Sequence, residues 1–136
     1  MKNLITIILS ILNLFFLNTL NASNQKLSNL ILELDTRDFE KKILTIKEIS
    51  KIESKFTLIT LKSILDGKLY IRKSDKKVLL IDIVNREYRA YDFFENKKIG
   101  ILKKRKLKKI KINNNLRNIL SNEIGILQIS QGNKEE

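Results

Sequence analysis

The chain has 136 residues, enough for one ordinary domain with a modest core. It contains neither cysteine nor histidine, which excludes disulfide frameworks, thiol nucleophiles, most zinc sites and the commonest general base. Lys and Arg outnumber Asp and Glu by 27 to 15, and the net charge of +12 suits a nucleic acid, an anionic lipid surface or an acidic protein; the Ile, Lys and Asn bias of an AT-rich coding sequence also inflates Lys by itself.

The first element expected is a targeting segment. Residues 4–20 are dominated by Ile, Leu and Phe, and no charge follows Lys2 until Lys26. Thr6, Ser10, Asn13, Asn18 and Thr19 interrupt the run, so it falls short of the roughly 20 clean apolar residues of a membrane span. Ala22 supplies a small residue where a peptidase would cut, so 1–22 reads as a signal peptide, with an uncleaved N-terminal anchor as the alternative. A buried helix of a cytosolic protein fits less well, because the stretch is apolar on every side. The expected location is therefore periplasmic or on the outer face of the inner membrane.

A single α+β domain is expected over 23–129. Within 24–66 apolar residues recur at three and four: Leu27, Leu30, Ile31 and Leu34, then Phe39, Ile43, Ile46 and Ile49, then Phe56, Ile59, Leu61, Ile64 and Leu65. Three short amphipathic helices follow from this, packed as HEAT-like helical hairpins because such helices are marginal alone. Asp35 or Thr36 is the expected cap of the second helix, Ser54 that of the third, and Gly67 its left-handed terminator.

Past Gly67 the period changes. Leu69–Arg72 alternates, 78–84 is rich in β-branched residues, and Ser74-Asp75-Lys76-Lys77 between them is turn chemistry, so 68–112 reads as a small antiparallel sheet. Its third strand is expected from Tyr88 to Phe94, followed by a turn at 95–98 and one or two strands within 99–112. Asn113 opens a last helix, 113–128, with a stripe of Leu116, Ile119, Leu120, Ile124 and Leu127, and 130–136 is a polar tail. Gly125 reads as a close-packing position.

Ten cations and no acid lie between Asn96 and Glu123, among them Lys103, Lys104, Arg105, Lys106, Lys108 and Lys109. These six are candidate contacts with an anionic membrane surface or polymer. The favoured reading is nonetheless the solvated edge of a strand, since the cations alternate imperfectly with Ile99, Ile101, Leu107, Ile110 and Ile112 and edge lysines block strand pairing. Nucleic acid is the least favoured partner, because no stacking pattern or recognition motif accompanies the charge; Tyr70, Tyr88, Tyr91, Phe93 and Phe94 read as core and cross-strand pairs. No nucleophile–base pair, Gly-rich phosphate loop or metal-ligand spacing stands out, so no catalytic, cofactor-binding or metal-ligating residue is assigned and a non-enzymatic protein is expected.

Two segments are more specific than pattern: Leu65-Asp66-Gly67-Lys68-Leu69-Tyr70-Ile71-Arg72-Lys73-Ser74-Asp75-Lys76-Lys77-Val78 and Lys109-Ile110-Lys111-Ile112-Asn113-Asn114-Asn115-Leu116-Arg117. In order and spacing they resemble the extracytoplasmic N-terminal region of urea-type ABC transporter permeases, relatives of the branched-chain amino acid permeases, with its "DG-x-LY-x-RK" strand entry and "NN-x-LR" helix start. The resemblance covers about Asp35 to Leu127. It implies structural roles for Asp66, Gly67, Leu69, Tyr70, Arg72, Lys73, Asn113, Asn114, Leu116 and Arg117, none of which is assigned to urea contact. It also implies a permease or solute-binding protein as partner. The family continues into further helical repeats and a multi-spanning permease through a Ser-Pro-Asp-Pro-like stretch, where this chain has 129–133 and ends at Glu136. The expectation is a non-catalytic domain of an importer for urea or short amides, separated from its permease or the first part of a split subunit. A freestanding exported basic protein is the alternative.

Overall fold

The computed structural model describes residues 2–132, with side chains for 5–9 and 21–132. In chain order the elements are α1 (Lys2–Glu33), α2 (Phe39–Ser50), α3 (Lys55–Leu65), β1 (Leu69–Arg72), β2 (Val78–Val84), β3 (Glu87–Asp92), β4 (Lys98–Leu102), a 3-10 turn (Lys104–Lys106), β5 (Leu107–Lys109) and α4 (Asn114–Gly132). The architecture is α+β as expected: helices from both ends flank one five-stranded antiparallel sheet of order β4-β3-β2-β1-β5.

The helix expected to begin at Asn24 is the C-terminal part of α1, which is continuous because no Gly or Pro interrupts 2–33. Most side chains of the expected signal segment lie outside the described residues. Ile5, Ile7, Ile8 and Leu9 are described, and each is more than half exposed. Among the described residues no helix is long and apolar enough to cross a membrane. The first buried side chain described on α1 is Leu27, and from there Leu30, Ile31 and Leu34 enter the core.

Asp38, not Asp35 or Thr36, caps α2: its Oδ1 accepts from the Glu40 and Lys41 N–H groups at 3.0 and 3.1 Å. The two expected caps are used one turn earlier, Thr36 Oγ1 accepting from the Asp38 N–H at 3.1 Å and Asp35 pairing with Lys108 at 2.7 Å. Ser54 caps α3 as expected, accepting from the Phe56 N–H at 3.2 Å. α4 packs on α2 and α3 through buried Leu116, Leu120 and Ile124. It runs to Gly132, four residues beyond the expected end and into the expected tail; there Ser130 Oγ donates to the Leu127 carbonyl at 2.9 Å. Gly125 serves no close approach, since a Cβ there would meet nothing within 4 Å.

The main core joins Leu27, Ile31 and Leu34 of the α1 end, Ile46 and Ile49 of α2, Leu61 and Ile64 of α3 and Leu116 and Leu120 of α4 to Leu69, Ile71 and Val78 of the sheet. Burying each such side chain fully stabilises the fold by about 1.5–3 kcal/mol. Period-two alternation sends Tyr70, Leu79, Ile81, Ala90 and Leu107 to the other face, where they form a second, smaller core with Tyr88, Ile99 and Leu102.

That second core exists because the sheet is curled. β4 and β5 are its opposite edges, and a flat sheet would hold them about 19 Å apart at the usual strand spacing. Only 103–106 joins them, and three of those residues form a 3-10 turn rising roughly 2 Å each. The edges must therefore bend toward one another at that end. Tyr70 on β1 meets Tyr88, two strands away, edge-on with ring centroids 6.4 Å apart across the hollow. β3 stops at Asp92 instead of Phe94, because Phe93 and Phe94 belong to the turn and pack there on Phe56 with centroids 6.0 and 5.3 Å away.

Candidate functional site: a motif joint and a basic cleft

The two family-like motifs meet at the end of α3. Gly67, at φ +67°, closes the helix by donating its N–H to Ile64 O at 3.0 Å, and the Lys68 N–H reaches Ser63 O at 2.9 Å. This paired arrangement satisfies carbonyls the helix would otherwise leave open and needs a residue without a Cβ. A Cβ on Gly67 would also lie 2.6 Å from Lys109 Nζ, so the lysine stem of β5 lies directly over the glycine. Arg117 Nη1 donates to Leu65 O at 3.4 Å, placing a cation at the negative end of the α3 dipole. Asn113 caps α4, its Oδ1 accepting from the Leu116 N–H at 2.9 Å, and Leu116 is fully buried. Leu69 and Tyr70 are buried, while Asp66, Lys73 and Asn114 are exposed. Arg72 forms a two-pronged pair with Asp75 at 2.8 and 2.6 Å.

The structure divides the basic run. Lys103, Lys104, Arg105 and Lys106 are exposed on the connection that crosses between the sheet edges. Lys108 turns to the helix side and pairs with Asp35, and Lys109 lies on Gly67. These last two line a cleft of about 730 Å³ together with residues that sequence reasoning did not place there. Arg37 and Lys42 enter it from the α1–α2 link and α2, Lys73 and Lys76 from the β1–β2 turn, and Lys111 from the exit of β5. Asp35 is the one acid of the lining.

Lys42 is the unusual member. It stands on the buried face of α2 with Thr45, Ile46 and Ile49, is only 3% exposed, and donates from Nζ to the Lys111 carbonyl at 2.5 Å. Burial lowers its pKa below the ordinary lysine value; Asp35 opposes the shift, and the nearby Lys111 and Lys108 charges add to it. Its placement on an otherwise uncharged helix face is the one signal in the sequence that pointed to this cleft. The convergence itself joins residues about 70 positions apart, which periodicity does not reveal.

No family model, curated protein or solved structure matches this chain. Among the described residues, no group of three or more Asp, Glu, His or Cys side chains comes together as a metal-ligand set. The chemistry on display is that of fixed positive charge.

Proposed function

We propose that this chain is a non-catalytic extracytoplasmic domain associated with an ABC importer of urea or short amides, held by the permease or by its solute-binding protein. The observation that carries the reading is the motif joint. The two segments that carry the resemblance touch at the end of α3, where Arg117 reaches Leu65 O across 52 positions and Lys109 lies over Gly67, which supports reading them as one unit. Export rests on the apolar segment and Ala22 at the N-terminus. Affinity capture of the full chain from membranes of its own cell is the test. Recovery of a permease or solute-binding component is the expected result; repeated capture with no transporter component sinks the reading.

A second reading draws on the exposed Lys103–Lys106 connection: a freestanding exported protein resting on an anionic membrane surface or polymer through that turn.

A further inference from the structure

We infer that the cleft between the α1–α2 link, the β1–β2 turn and β5 is a binding site for a multiply charged phosphate-type oxyanion, presented by a free polyphosphate or by a phospholipid headgroup. The inference goes beyond the transporter reading and does not depend on it.

Lysine and arginine side chains only donate hydrogen bonds, so a cavity walled by them calls for a ligand that only accepts. Seven cations line this one, and its single carboxylate, Asp35, is already committed to Lys108 at 2.7 Å. Among the described residues Arg37, Lys73, Lys76 and Lys111 take part in no ion pair, so the described residues leave their charge unmatched.

Lys42 makes the case stronger than surface charge alone. A buried ammonium is costly unless paired, and this one has a carbonyl and the face of the Phe39 ring, 5.2 Å from its centroid, as direct partners, neither carrying a full negative charge; Asp35 favours its charge from further off, and Lys111 and Lys108 oppose it. A dianion in the cleft supplies the missing counter-charge. The cleft is walled by separate parts of the fold, whereas Lys103 and Lys104 line neither it nor the neighbouring pocket that Arg105 and Lys106 form with Arg72, Lys73 and Asp75. The volume of about 730 Å³ exceeds one phosphate and accommodates a diphosphate or a headgroup.

The test is calorimetric titration of the full chain with pyrophosphate, run beside co-sedimentation with vesicles of phosphatidylcholine alone or mixed with phosphatidic acid, whose phosphomonoester headgroup can carry two charges. Saturable one-to-one binding of pyrophosphate, selective capture by the mixed vesicles, or both, is expected, and the pattern tells free anion from headgroup. Lys73→Gln with Lys111→Gln, both exposed positions, should weaken binding by at least about tenfold, because two charge-assisted contacts are lost. Lys103→Gln with Lys104→Gln removes the same net charge outside the cleft and should change binding by less than about twofold. Equal losses in the two double variants would mean that net charge alone binds, and would overturn the site. So would failure of both pyrophosphate and mixed vesicles to bind. A loss confined to Lys103→Gln with Lys104→Gln would overturn it as well, in favour of the turn surface.

Discussion

The β1–β2 and β3–β4 turns follow the same backbone path, twenty residues apart, and are held by opposite means. In the first, Arg72 N–H donates to Lys77 O at 2.9 Å; in the second, Asp92 N–H donates to Lys97 O at 2.8 Å. The next residue of each ties to a neighbouring segment, Lys73 N–H to Lys106 O and Phe93 N–H to Val78 O. A left-handed residue stands at the matching place, Lys76 at φ 60° and Asn96 at φ 51°. The first turn is braced by an ion pair on the surface, Arg72 with Asp75. The second is braced from inside: the Asp92 carboxylate, 5% exposed, accepts from the Phe94 and Glu95 N–H groups at 3.0 and 2.8 Å and from Lys77 Nζ at 2.7 Å. One loop geometry thus tolerates two supports of very different worth, and burial sets the difference.

Asp92→Ala should separate the turns most sharply. It strips two backbone donors and Lys77 of their acceptor, and should cost about 3 kcal/mol in denaturant unfolding. A loss under about 1 kcal/mol would show that the inner brace does not hold the turn. The pH dependence has a definite sign. Burial works against ionisation of Asp92, but the Lys77 and backbone hydrogen bonds outweigh it and keep its pKa below the ordinary value. Its contribution is therefore complete above the unfolded carboxylate range and is lost as pH falls through the folded value.

Asp75→Asn should matter less. The hydrogen bonds from Arg72 lower the Asp75 pKa to about 2, yet the side chain is 48% exposed and solvent screens the pair. The expected cost is at most about 1 kcal/mol at neutral pH. Because the folded pKa is depressed, the difference from the parent chain should fade only between the ordinary carboxylate value of 3.8 and about 2, which acid unfolding of the two proteins compares directly. Smallest of all, Lys76→Asn should stabilise the first turn by about 0.5 kcal/mol, since asparagine tolerates the left-handed region that lysine avoids. A lower melting temperature for that variant would break the equivalence of the two turns.

Much of this fold was legible because its signals are local. Ser54, Gly67 and Asn113 announce element ends through their own backbone chemistry, and the change of period at Gly67 marks where helices yield to strands. The cap of α2 is ambiguous in the sequence because three oxygen-bearing side chains, Asp35, Thr36 and Asp38, crowd one link; in the fold Asp35 pairs with Lys108, Thr36 accepts from the Asp38 N–H, and Asp38 takes the cap. Phe94 was assigned to a strand because aromatic residues favour strands, whereas packing on Phe56 holds it in a turn. The cleft was the least legible feature. The run from Lys103 to Lys109, broken only by Leu107, concentrates charge along the chain, but the lining is drawn from four places and takes only two cations, Lys108 and Lys109, from that run.

The pairing of β5 with β1 has a consequence for the order in which the molecule assembles. β1–β2, β2–β3 and β3–β4 are neighbours in sequence, so each closes a short loop, whereas Tyr70 pairs with Lys109 across 39 residues. Closing the longer loop costs more chain entropy and is rewarded only once the strands between are in place. Lys108, Lys109 and Lys111 reach their positions in that step. The cleft is thus completed by the longest-range pairing in the sheet, so a chain that offers it has brought both edges of that sheet into place.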